Sequence, residues 1–488
     1  MLQVPPIVVT TRIVGGSSSA GGLNPLDERM TCMTTPSIVW LRRDLRLADQ
    51  AALLAACAAG PVVPVYVLDD ETPQHRKMGG ASRWWLHHSL TALAAALEAK
   101  GSRLILRRGK CDAVLAALAA EIGAQEVHAL HHYEAWWRNA ERAVSKALTL
   151  HLHHGNYLAP AGSVLTGSGT PFKIFTPFWR ALQAEMLPPP QPTAAPQAIP
   201  APALWPASDR LDDWGLLPGR PDWASGLRAE WTPGEVGAAE RLEVFAGHAK
   251  RYADERNLPS REGTSRLSPH LHFGEISPAT VWHRTATSGG SVGTFLGELG
   301  WRDYAQNVIM QLPDYGGTNA KPQYDALAWR SGAAAEADLA AWQQGRTGYP
   351  IVDAGMRQLW ASGWMHNRVR MIAASFLIKH LLIDWRRGEQ WFWDTLVDAD
   401  YGSNAVNWQW SAGSGIDAQM FVRIMAPLTQ SPKFDAAGYI REWVPELAHL
   451  SDADIHDPVL PVRCYPAKLI GHPEARVRAL AAWAEVKS

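Results

Sequence analysis

Four stretches of the 488-residue chain combine side chains that can do chemistry. In GYPIVDAGMRQLWASGWMHNRVRMIAASFLIKHLLIDW, residues 348–385, the positions Asn367, Arg370, Met371 and Ala374 fall at i, i+3, i+4 and i+7 and share one helical face. An amide and a guanidinium among apolar neighbours require partners once buried. From Ala354 to Ile383 there are four basic residues (Arg357, Arg368, Arg370, Lys379) and no acidic one. That is either a solvated basic face or a wall facing a phosphate-bearing ligand, and the spacing leaves both open. In DADYGSNAVNWQWSAG, Asp398 and Asp400 lie on a Gly/Ser/Asn-rich stretch expected to be an irregular loop, followed by Asn404, Asn407, Trp408 and Trp410. Tyr252 is followed by EGTSRLSPHLHFGEISP from Glu262, in which Thr264, Ser265 and Ser268 offer hydroxyls and backbone N–H groups. Such a turn opening a helix can hold a phosphate, and it serves equally as a plain helix cap. In GELGWRDYAQ, spacing puts Glu298, Trp301 and Arg302 on one helical face.

These segments need a scaffold, and the pattern supplies two kinds. From Ser37, strand-like runs at 38–41, 62–68, 104–106 and 126–130 alternate with helical runs at 51–59, 83–100 and 113–122. Strand–helix alternation implies a parallel sheet covered by helices, with ligands at the carboxyl ends of the strands. No GxGxxG follows a strand, so the dinucleotide fingerprint is missing. Residues 188–206 (PPPQPTAAPQAIPAPALWP) cannot form a helix or a central strand and read as a linker or a surface-wrapping segment. Beyond Pro233 the period is helical, with helices expected at 235–255, 294–312, 351–361, 366–385 and 391–396. The expected domains are a leader over 1–35, an α/β domain over 36–165, a Pro-rich connector over 166–233 and a larger all-α domain over 234–488. The leader carries Gly-Gly-Ser-Ser-Ser and lacks a signal-peptide pattern, and Met30 or Met33 could be the native start.

Composition narrows the function classes. Apolar residues make up 47% and charged residues 19%, which suits a globular chain. With 46 basic and 47 acidic residues, any nucleic-acid binding must come from a local basic surface. Four scattered cysteines without a CxxC pair argue against a zinc or iron–sulfur centre, so no metal is expected, and they fit a reducing cytoplasm. No apolar run reaches membrane-spanning length. Trp is abundant, 23 against 11 Tyr and 10 Phe, for which an aromatic helical core is the plain explanation.

Seven segments in order resemble the photolyase/cryptochrome flavoprotein family, and within it the cyclobutane pyrimidine dimer photolyases: WLRRDLRLAD, GTSRLSPHLHFGEISP, ELGWRDY, GRTGYPIVDAGMRQLWASGWMHNRVRM, IDWRRGE, NWQWSAG and TQSPKFD, spanning Trp40 to about Asp435. The resemblance implies a Rossmann-like antenna domain followed by an all-α domain holding FAD in a bent conformation. Tyr252 and the turn Thr264, Ser265, Arg266, Leu267 and Ser268 would then hold the pyrophosphate. Arg302, Asn367, Arg370, Asp398, Ala399 and Asp400 would line flavin and ribose, with Arg370 and Asp398 as an ion pair. Asn404 would face flavin N5, where a neutral amide accepts the N5–H of reduced flavin.

The implied reaction is light-driven electron transfer from reduced FAD to a flipped-out pyrimidine dimer, which stacks poorly and is cheap to extrude. Glu298 and Trp301 match the dimer-binding carboxyl and indole, with Met371 and Asn367 in the same cavity. Relatives acting on (6-4) products usually carry His at the positions of Asn367 and Met371. Arg368, Arg423 and Gln430 match DNA-backbone contacts. Trp408, Trp385 and Trp329 match a chain that photoreduces oxidised FAD. An antenna chromophore is also implied, 5,10-methenyltetrahydrofolate being favoured over 8-hydroxy-5-deazaflavin. Two departures stand out: IMAP follows Arg423 where many relatives have IFNP, and Gln50 stands where Asn is usual. The implied partner is DNA containing pyrimidine dimers, the protein a cytoplasmic monomer. The alternatives are a cryptochrome-type blue-light photoreceptor, for which only about fifty residues remain after TQSPKFD to form a tail, and a plain flavin oxidoreductase.

Overall fold

The structure is a computed structural model and describes residues 35–487 except 291, 419, 460 and 463. The expected leader, apart from its last residue, lies outside the described residues. Strand β2 (Val62–Leu68, VVPVYVL) is buried along its whole length. Near-continuous apolar runs mark strands covered on both faces. Around it, β1 (Ser37–Leu41), β3 (Ile105–Arg108), β4 (Glu126–Leu130) and β5 (Thr149–His153) complete an all-parallel sheet in the order β3-β2-β1-β4-β5. Helices α1 (Ala51–Ala59), α2 (Gly80–Glu98), α3 (Cys111–Ile122) and α4 (Ala135–Val144) follow the first four strands. Strand β5 and helix α4 were not expected from the sequence.

The strand order reverses between β1 and β4, the kind of place where such sheets put functional groups. Here the WLRRDLR motif leaves β1. Arg42 pairs with Glu141 on α4 at 2.7 Å. Arg43 pairs with Glu134 and lies 3.8 Å from Asp400 of the helical part. Gln50 takes up the local work, donating to the Asp44 carboxylate at 2.8 Å and accepting from the Ala52 amide at the start of α1.

The segment 188–206 wraps the α/β domain without forming a helix or strand. The Val62 amide donates to Pro200 and the Ile199 amide to Lys100, and Ile199 is buried in the sheet-side core. Upstream, Phe175–Glu185 is helical. The remainder of the described chain is helical, around a core that includes Trp342, Tyr349, Phe376, Trp385 and Trp408.

Three expectations of local structure are corrected. The helix over 366–385 is two. Asn367–Ser375 widens into a π-helical turn at Phe376–His380, Leu382 takes a φ of 52°, and Asp384 caps a new helix, Trp385–Thr395, by accepting from the Arg386 amide. The helix expected over 235–255 stops at Ala246 and resumes as short turns. The loop after Asp400 is a regular helix, Tyr401–Ala412. Asp400 caps it by accepting from the Ser403 amide at 2.7 Å. Its low-propensity Gly402 lies where a Cβ would meet Gln306 and Ala305 of the helix Gly293–Gln311 at 2.8–3.3 Å. Packing overrides propensity there.

Candidate functional site

A cavity of about 390 Å³, in the usual range for small-molecule sites, opens among the helices. A smaller space of about 80 Å³ adjoins it, sharing Asn367, Arg370, Met371, Asp398, Ser403 and Asn407, and reaching Asn404 and Trp408. The one-face reading of Asn367, Arg370, Met371 and Ala374 is realised, since all four line that smaller space.

Arg370 and Asp398 form a two-pronged ion pair at 2.8 and 3.1 Å, and Asp398 also accepts from the Ser268 hydroxyl at 2.7 Å. The Arg370 Nε donates to the Met365 carbonyl. A partly buried pair of this kind is tolerable because each charge is matched. Two residues on, Asp400 meets a different field. Burial alone would raise its carboxyl, but Arg43 and Arg302 hold it below the usual range. His272 is in turn pushed down to about 3 by burial and by Arg43. At the far wall, Asn404 donates through Nδ2 to the carboxylate and the carbonyl of Glu389. Glu389 is gripped by Arg76 at 2.7 and 2.8 Å. The Asn404 side chain is therefore oriented from behind, and its Oδ1 has no hydrogen-bond partner among the described residues. That acceptor on a cavity wall fits a flavin ring edge bearing an N–H.

The same cavity carries Glu298 and Trp301. Glu298 lies 2.5 Å from Arg256; burial raises its carboxyl, with Arg256 opposing. Trp301 stacks on Phe175 with ring centres 3.7 Å apart and meets Tyr304 edge-on. Phe175 thus backs the indole, while Trp301 remains part of the cavity lining. Tyr252, Thr264, Ser265, Arg266 and Ser268 line the cavity as well.

Several sequence-based assignments meet a different surrounding. The Arg266 guanidinium is turned to Glu230 and lies over Trp364, so its charge is already engaged. Arg302 lines the cavity but donates to the backbone carbonyls of Asn156 and Leu271. Leu267 is fully buried. Ala399 is buried against another cavity, between the sheet's carboxyl edge and the helices. The basic wall is not one surface: Arg357 pairs with Glu446, Arg368 donates to Asn257, and Lys379 is buried and donates to the Arg423 carbonyl. Arg423 is exposed and Gln430 half-buried. Trp408 and Trp385 are buried in the helical core, where Trp408 meets Phe392 and Trp342 edge-on and the Trp385 Nε1 donates to Asn319. Trp329 sits at the margin of the same core.

Arg256, Phe175, His272, Arg76 and Glu389 were not singled out from the sequence. For Arg256 a signal existed, because it stands four residues after Tyr252. The others contact the site only through the fold.

The residues 37–200 match the family described as DNA photolyase, and 295–485 match the FAD binding domain of DNA photolyase. The fold and cavity thus define a flavin-binding photolyase scaffold. The chain belongs to the photolyase/cryptochrome family. A deoxyribodipyrimidine photo-lyase of Agrobacterium fabrum is 46% identical over 483 residues, covering 94% of this chain and 99% of that protein. The crystal structure of a bacterial class III photolyase from Agrobacterium tumefaciens aligns with a TM-score of 0.88 at 45% identity, covering 96% of this chain and all of that one. Cryptochrome-1 of Arabidopsis thaliana is 35% identical over 477 residues, 91% of this chain and 69% of that protein.

Proposed function

We propose that this chain is a deoxyribodipyrimidine photo-lyase that repairs cyclobutane pyrimidine dimers in DNA under light. One observation carries the reading: a single cavity joins a cofactor-type wall (Ser268, Arg370, Asp398, adjoining Asn404) to a lesion-type wall (Glu298, Trp301, Met371). FAD bound there would supply the electron that opens the dimer and would take it back. Tyr252 and the Thr264–Ser268 turn would hold its phosphates. The Arg370–Asp398 pair would fix the polar edge of the ring system, and Asn404, held by Glu389, would keep an acceptor aimed at it.

Trp301, backed by Phe175, offers a flat apolar platform for an unstacked base. Glu298, paired with Arg256, would offer its carboxylate oxygens to the N–H groups of a base. Arg368, Arg423 and Gln430 would meet the DNA backbone. Among the described residues no helix is long and apolar enough to cross a membrane. For the antenna chromophore we keep 5,10-methenyltetrahydrofolate, supported by the family resemblance and checked by the absorbance of the extracted pigment.

The test is illumination of the purified FAD-loaded chain with a thymine-dimer oligonucleotide and a reductant. Loss of the dimer is expected in blue light and not in darkness. An FAD-loaded protein that leaves the dimer intact in both conditions would overturn the proposal in favour of a photoreceptor.

A further inference from the structure

The open edge of the sheet carries histidines on β4 and β5. Strand β5 pairs only with β4, and the register places His128 opposite His151. Side chains two apart on a strand share a face. Glu126 and His128 of β4 therefore project with His151 and His153 of β5. On its other side His128 is in register with Val39 of β1, a residue of the buried sheet-side core.

We propose that Glu126, His128 and His151 form a binding site for a divalent transition metal of the zinc type, with His153 as its positioning residue. The reading is independent of the repair function. The three donor atoms lie within 4.8 Å of one another. Glu126 Oε2 is 3.9 Å from His128 Nε2 and 3.7 Å from His151 Nε2. Those separations are too long for hydrogen bonds. Both Nε2 atoms are shielded from solvent and have no hydrogen-bond partner, although His128 as a whole is only 6% exposed. Orphaned buried nitrogens aimed at a shared carboxylate call for a ligand.

The surrounding chemistry agrees. His128 Nδ1 lies 3.1 Å from His153 Nε2. With the proton on His128 Nδ1, donated to His153, the His128 Nε2 lone pair faces Glu126. This is the outer-shell hydrogen bond that orients metal-bound imidazoles. The His128 and His151 rings stack at 4.7 Å. Tetrahedral zinc with bonds of 2.0–2.1 Å sets its donors about 3.4 Å apart. Bringing Glu126 to that spacing from the two histidines takes about half an ångström, within reach of its half-exposed side chain. Three protein ligands leave a fourth position for water. The ion would clip the edge strand β5 to β4.

The full chain, stripped with a chelator and desalted, is titrated with Co²⁺ while its visible d–d absorption is read, and the bound Co²⁺ is then displaced with Zn²⁺. One ion per chain in a low-symmetry, intense-absorbing site is expected, together with a rise in Tm on adding Zn²⁺. His151→Ala and the milder surface change Glu126→Gln should each abolish that transition, and His153→Phe should weaken it about 10- to 100-fold. His87→Ala, in a separate histidine pair on α2, should leave it unchanged. Only weak octahedral Co²⁺ absorption in the unmodified chain, or titrations of His151→Ala and Glu126→Gln that match it, would overturn the proposal.

Discussion

Two arginines, Arg46 buried and Arg370 half-buried, show how differently the two halves use the same side chain. Arg46, after β1, spends all five of its N–H groups on the chain itself: two bonds to the Asp49 carbonyl, and one each to Asn156 Oδ1, Gly274 and Gly155. Arg370 engages three, two with Asp398 and one with Met365, and its remaining donors border a cavity. A closed network is architecture, because nothing is left over for a guest. An open one costs stability unless a guest completes it. The contrast separates structural from functional polarity within one chain.

A pair of substitutions separates the two arginine networks. Arg46→Met should lower stability by at least about 3 kcal/mol by stranding several carbonyls, while each folded chain still binds FAD in full. Asp398→Asn should lower Tm less, yet reduce retained FAD at least about tenfold, which needs only about 1.4 kcal/mol of binding energy. Flavin absorbance per folded chain after gel filtration decides it. Flavin loss in Arg46→Met, or full retention in Asp398→Asn, would erase the distinction.

Asp303 tests an intermediate case. One carboxylate oxygen accepts from the Ala159 amide at 3.0 Å and the other is buried without a partner. Burial raises its pKa from 3.8 to about 7. The folded state therefore binds the proton more tightly than the unfolded one. Stability from this group is greatest below pH 4, falls as pH rises towards 7, and is constant above. The full effect is of the order of 4 kcal/mol. Asp303→Asn should flatten that slope in denaturant titrations between pH 4 and 8; an unchanged slope would assign it elsewhere.

Trp301→Ala should weaken binding of a dimer-containing oligonucleotide by about 1–3 kcal/mol while FAD content stays near normal, as measured by fluorescence anisotropy. Unaltered affinity would remove the indole from the lesion wall. The smallest effect on repair belongs to Trp408→Phe. Photoreduction of oxidised FAD should slow markedly, whereas pre-reduced protein repairs at an unchanged rate. Equal loss of both would place Trp408 in the repair step.

Much of this was readable before folding. The wholly apolar β2 and the four-residue face on Asn367–Ser375 depend on local periodicity, which a sequence displays. Strand β5 was missed because TLHLH is a half-exposed edge strand whose alternating histidines look polar. The break near Leu382 rests on one residue's backbone conformation. The four basic residues between Ala354 and Ile383 form no common wall, because Glu446 and the Arg423 carbonyl, distant in sequence, each claim one. Likewise Arg76 and Glu389 enter the site through long-range pairing, which one-dimensional spacing does not encode.

The Phe175–Trp301 stack has a practical corollary. Phe175 opens the helix Phe175–Glu185, and its amide is tethered to Asp417 at 2.8 Å. That helix is thus part of what holds Trp301 in place. Grafting it from a relative, or trimming it to tighten the molecule, would shift the base-stacking platform and retune lesion preference without touching a single flavin contact.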